Sequence, residues 1–150
     1  MKILVLGLGN PILSDDGVGF HVVDFLKREV KNKNIKFQKT SLAGLNILEL
    51  IFDFDKVVII DAIMLGEEIG KVYKLEIEDF EKTLHTASHD VGFRDVIEIG
   101  KKYYRKRMPK KIVVFGVEVK NVHTFSEKLS PEVERLIPEI CSHIKKELDS

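Results

Sequence analysis

The sequence predicts an α/β fold: a three-layer α/β/α sandwich on a mostly parallel sheet, with one antiparallel edge strand. Three observations predict it. The runs Ile3-Leu-Val-Leu-Gly7, Lys56-Val-Val-Ile-Ile-Asp61 and Lys111-Ile-Val-Val-Phe-Gly-Val117 are apolar almost throughout, as strands covered on both faces require. Segments with apolar residues at helical spacing stand between them. The order βαβαβ, then β, α, β, α, is that of parallel crossover connections. The 150 residues suffice for one domain, residues 1–150, with its own core.

Each element follows from its local pattern. Residues 3–7 form the first strand, and the turn formers of Gly9-Asn-Pro-Ile-Leu-Ser-Asp-Asp-Gly17 make a loop. Val18, Val22, Phe25 and Leu26 place a helix over residues 17–30, and residues 35–41 half alternate as a second strand. Leu45, Leu48, Ile51 and Phe52 suggest a helix over 44–54. Four consecutive β-branched residues make 56–61 the central strand. Residues 71–77 alternate, as an antiparallel edge strand does, and 91–104 read as a helix. Ser130-Pro131 opens the last helix, with Ser130 as N-cap, Glu132 and Glu134 in the first turn, and Pro138 inside as a candidate kink.

Composition excludes several classes. Lys plus Arg and Asp plus Glu both total 24, and this zero net charge argues against a general polyanion binder, so no nucleic-acid partner is expected. Neutrality hides local imbalance: residues 44–68 carry six acids and one base, and residues 101–111 carry seven bases and no acid. The first suggests an acidic rim. The second is either a solvated helix end or a docking surface for an acidic partner. The lone Cys141 forbids an internal disulfide and falls on the core face of the last helix, as a small buried hydrophobe would. No run approaches the ~18 apolar residues of a membrane span, and no targeting segment is evident, so a cytoplasmic protein is expected.

Open α/β sheets bind ligands beyond the carboxyl ends of their strands. Asn10, Asp15 and Asp16 follow the first strand, Asp61 ends the central one, and Glu118 follows the last. Asp15 and Asp16 also suit the N-terminus of a helix, where one can cap while the other faces the cleft. Asp61 closes the most apolar strand, so its carboxylate needs a partner or solvent. His89, before the fourth helix, reads from position alone as a surface or capping residue. Two carboxylates and an imidazole would suit nickel, zinc, iron or cobalt equally. Gly7-Leu-Gly9-Asn-Pro-Ile12 lacks the third glycine of a dinucleotide loop, and makes a tight turn whose backbone donors at Gly9 and Asn10 are available to a ligand.

The motifs together resemble one family. Ile3-Leu-Val-Leu-Gly-Leu-Gly-Asn10, Ser14-Asp-Asp-Gly-Val-Gly19, Val58-Ile-Ile-Asp-Ala62, Ser88-His89 with Gly92, Gly116-Val-Glu118 and Leu129-Ser-Pro-Glu-Val133 occur in the order seen in hydrogenase maturation endopeptidases. That family trims the C-terminus of the large subunit of nickel–iron hydrogenases. The resemblance implies a metal site of Asp16, Asp61 and His89, and raises His89 from a capping residue to a ligand. It also implies a substrate-handling loop after the second strand. Here that loop reads Thr40-Ser-Leu-Ala-Gly44 and keeps only the last glycine of the family's stretch, so Gly44 alone carries over. Phe125-Ser126-Glu127 lacks another glycine common in the family.

The expected function is therefore a metal-dependent endopeptidase acting on a nickel-loaded large-subunit precursor. The nickel comes with the substrate, other divalent ions are able to occupy the site, and the free protein is a monomer. Asp16, Asp61 and His89 act through the metal; Gly9, Asn10 and Gly44 bind substrate. Two alternatives stand beside it: a peptidyl-tRNA hydrolase-like esterase, whose family shares the Gly-Leu-Gly-Asn-Pro start, and a non-catalytic nickel-sensing chaperone.

Overall fold

The computed structural model describes residues 1–41, 44–75 and 92–149. Among these residues five strands and four helices follow in order: β1 (Ile3–Leu8), α1 (Val18–Glu29), β2 (Ile35–Thr40), α2 (Asn46–Ile51), β3 (Lys56–Ile63), β4 (Val72–Leu75), α3 (Phe93–Tyr103), β5 (Lys111–Glu118) and α4 (Pro131–Leu148). Short 3-10 turns at Ser14–Gly17 and Arg105–Arg107 precede α1 and β5. The sheet order is β2-β1-β3-β5-β4, parallel except where β4 runs antiparallel to β5, with Val72 opposite Val117 and Leu75 opposite Val114. The expected antiparallel edge is thus present. Its last expected residues, 76 and 77, lie outside the described part.

Strand alternation divides the core in two. Ile3, Val5, Val58, Ile60, Val113 and Phe115 point toward α1 and α4, while Leu4, Leu6, Val57, Ile59 and Val114 point toward α2 and α3. All eight residues of β3 are buried, as its unbroken apolar run requires. Cys141 is buried against the Val22 carbonyl, and burial pushes its thiol up to about 12.

The structure corrects several boundaries. α2 is much shorter than 44–54, because Phe52 turns extended and Asp53 takes a left-handed φ of 70° to direct its amide to the Arg107 carbonyl. α4 continues without a break through Pro138. Ser130 precedes α4 without capping it through its side chain; the hydroxyl donates to Asp15 instead.

The amino-terminal edge of the sheet is held by charge. Lys56 opens β3 at 3% exposure, and its Nζ donates to both the main-chain carbonyl and the carboxylate of Glu147 in the last turn of α4. Lys74 and Lys111 bond the same carboxylate. Burial would raise the Glu147 pKa, but the hydrogen bonds and charges of these lysines hold it down at about 2.

Candidate functional site

The opposite, carboxyl-terminal edge is where the chain departs from β1 and β3. The last residue pair between these strands is Gly7 with Ile60. The next residue of β3 is therefore Asp61, beside the point where β1 turns into Gly9. Asp61 does not end its strand, as expected, but sits inside it: Ala62 and Ile63 continue the ladder with β5. Asp61 is fully buried, and its Oδ1 accepts the Ala62 amide at 2.8 Å.

Close backbone approach brings Asp16 to the same place. A Cβ on Gly19 would lie 2.6 Å from the Ile60 carbonyl oxygen and 2.8 Å from that of Leu8, so only glycine lets α1 begin this near the strand ends. Gly9 has a φ of 141°, and a Cβ there would run into the Asp16 carbonyl and stand 3.8 Å from Asp61 Oδ1. Gly9 is thus packed against the Asp16 main chain with the Asp61 carboxylate close by. Asp16 is 1% exposed, and its Oδ2 accepts the Asn10 amide at 2.9 Å. Asn10 Oδ1 in turn accepts the Ile12 amide, closing the loop.

Asp15 takes a role that the local pattern did not suggest. It caps no helix. Its buried carboxylate accepts four hydrogen bonds: from the amides of Lys120 and Asn121, and from the amide and hydroxyl of Ser130. The Asp15 amide donates to the Asn121 carbonyl, and Ser14, at a φ of 49°, bonds Ser126 and Lys128. Consecutive residues of a 3-10 turn point about 120° apart. One aspartate therefore ties the turn to the β5–α4 connection while the carboxylate of its neighbour takes the Asn10 amide, next to Gly9.

Glu118 is likewise structural. It is 2% exposed, and both carboxylate oxygens take up the Leu65 amide, holding the loop after β3. The acidic stretch is also divided: Asp53 pairs with Arg107 and Asp55 accepts the Lys2 amide, both at the amino-terminal edge, whereas Asp61 lies in the carboxyl-terminal part of β3 and Glu67 and Glu68 follow it. No single acidic rim gathers them. Gly44 sits between β2 and α2 at a φ of 62°, with open space where a side chain would stand. His89, with Ser88 and His85, lies outside the described residues. Among the described residues no three His, Cys, Asp or Glu side chains form a metal-holding group.

A family model described as hydrogenase maturation protease matches residues 20–147. The chain belongs to that family of endopeptidases. Hydrogenase maturation protease relatives include a hydrogenase expression/formation protein HupD of Thiocapsa roseopersicina, 27% identical over 93% of this chain and 64% of the relative. The chain thus spans less than two thirds of that relative's length. The hydrogenase 2 maturation protease of Escherichia coli is 27% identical over 91% of this chain and 84% of its own. The solved structure of the hydrogenase maturating endopeptidase HybD from E. coli superposes with a TM-score of 0.80 at 24% identity, covering 99% of this chain and 93% of that one, and so shares the fold. Asp61 and His89 fall inside the matched hydrogenase maturation protease stretch, and Gly9, Asn10 and Asp16 precede it. The match gives no support to the peptidyl-tRNA hydrolase alternative. No helix among the described residues is long and apolar enough to cross a membrane.

Proposed function

We propose that this protein removes the C-terminal peptide from a nickel-loaded [NiFe]-hydrogenase large-subunit precursor in the cytoplasm, acting as one domain. Asp16, Asp61 and His89 are the residues that engage the substrate's nickel. The observation that supports this most is the pair of buried carboxylates, Asp16 and Asp61, near the side-chain-free Gly9 at the carboxyl-terminal edge of the sheet. Two aspartates and one imidazole make an N/O donor set that fits a borderline divalent ion. The proposed third donor, His89, is three residues from Gly92, where α3 begins on the sheet face toward which Asp61 points. A bound nickel polarises a carbonyl or activates water. The chain's own contribution is orientation: the Asn10 and Ala62 amides each fix one carboxylate rotamer, and Gly9, Asn10 and Gly44 are the residues assigned to the peptide, with open space where a Gly44 side chain would stand.

A mass measurement tests the reading. Incubation with nickel-loaded precursor is expected to release the C-terminal peptide, and nickel-free precursor is expected to stay intact. Asp16→Asn and His89→Gln are expected to abolish release with the fold retained. Intact mass after incubation with a verified competent precursor overturns the protease reading in favour of a nickel-sensing chaperone, and wild-type cleavage by either variant overturns the ligand assignment.

A further inference from the structure

The basic stretch of residues 101–111 has no role in the site at the carboxyl-terminal edge. It lies where α3 ends and β5 begins, at the other edge of the sheet. Beside it runs a groove of about 540 Å³ between α2 and α3, lined by Leu45, Leu48, Phe52, Ile99, Tyr104 and Arg107, with Glu49 the one acid among the described lining residues. Leu45 is 49% exposed and Tyr104 45%, more than most large apolar side chains here. The lower end of the groove is preorganised. The Phe52 and Tyr104 rings stand 5.1 Å apart, tilted by 45°, and the Arg107 guanidinium lies 4.5 Å over Phe52 while bonding Asp53. The other end begins at Leu45, directly after Gly44, one of the proposed substrate residues. The groove therefore runs from beside the proposed substrate loop toward the basic stretch.

The charges at its lower end are unmatched. Lys102 shares a helix face with Ile99, and Arg105 and Lys106 form the turn that carries Arg107. All three are exposed, and none has an ion-pair partner among the described residues. A solvated helix end explains Lys101 and Lys102 through the helix dipole, but not the further cations beyond the helix, nor an apolar channel beside them.

We propose that this groove docks an acidic segment of the precursor protein that carries an apolar side chain. The apolar residue seats between Leu48, Ile99 and Phe52, and the acidic groups meet Lys102, Arg105 and Lys106. This rests on the proposed function for the identity of the partner, and continuity with Gly44 is what assigns the groove to that same protein. Docking away from the scissile bond supplies affinity and association rate without taking part in cleavage.

Titration of full-length precursor with the whole protein tests it, at low and at high salt, for wild type and for the triple variant Lys102→Glu/Arg105→Glu/Lys106→Glu. The variant is expected to melt with wild type, to bind ~10-fold more weakly and to lose most of the salt dependence, as rim charges do. Ile99→Ser is expected to weaken binding with the salt dependence kept. Equal affinity and equal salt slope in the triple variant overturn the proposal. So does failure of wild type to bind precursor, or a wild-type dimer that the triple variant dissociates, which would make a second copy the occupant. Cleavage is read separately: wild type that binds without cleaving refutes the protease reading and leaves docking standing. Cleavage by the triple variant at wild-type kcat but raised KM supports both.

Discussion

Asp15 and Asp16 are adjacent, identical and both buried, yet they do different work. Asp15 satisfies four donors from the β5–α4 connection, so Asp15→Ala leaves three part-buried amides and a hydroxyl unpaired and is expected to cost ~2–4 kcal/mol, read as a lowered urea midpoint. Asp16→Asn retains an oxygen for the Asn10 amide and is expected to keep stability within ~1 kcal/mol while processing is lost. If the two substitutions change stability equally, the division between anchor and site is wrong. The split was only half legible: the pattern allowed one residue to cap and one to face the cleft, but no cap formed. The partners of Asp15 are 105 to 115 residues away, and no local rule reaches that far.

The junction of β1, the 3-10 turn and α1 depends on glycines at the element scale. Gly19→Ala would press a methyl group into the Ile60 and Leu8 carbonyls, which neither strand is able to yield. A loss of ~2–3 kcal/mol or more is expected, visible as a lower melting temperature, with activity lost as Asp16 moves. The Gly-Leu-Gly stretch was legible as a tight turn, but its reason, a helix seated against two strand ends, was not. α4 makes a second case. The sequence places Cys141 on its core face, where the structure buries it, and the thiol is expected to resist thiol reagents in the native protein and react once unfolded, since burial holds the thiolate out of reach.

Across the whole molecule, the central strand carries a buried charge at each end of the sheet. At the lower edge Lys56 is answered by Glu147, and the pairing makes the fold acid-sensitive. The Glu147 carboxyl is lower folded, at about 2, than its ordinary 4.5. Its contribution is thus complete above about pH 4.5 and is lost as pH falls from there toward 2. With Lys74 and Lys111 exposed and screened, ~2 kcal/mol is expected to disappear between about pH 6 and about pH 3, measured as urea midpoints. Glu147→Gln is expected to flatten that dependence and to lower stability at neutral pH, because the buried Lys56 ammonium loses its counter-charge. An unchanged slope in the variant would place the acid sensitivity elsewhere. The basic stretch and the proposed metal site occupy opposite edges of the sheet, so the zero net charge combines an interior ion cluster, two sheet edges and a basic surface.

The amino-acid sequence by itself determined the layered fold, the parallel order with its antiparallel edge, the core faces and the family. Period and apolar run length report burial locally, and the motif order is a property of the chain alone. Only the tertiary structure decided that Asp15 is an anchor, that Glu118 holds a loop, that Ser130 serves Asp15 rather than its own helix, and that the acids of residues 44–68 part to opposite edges. Each of these is a choice of hydrogen-bond partner or of sheet edge. Such choices are made by strand register and close backbone approach between residues far apart in the chain, and hydrophobic period carries no information about them.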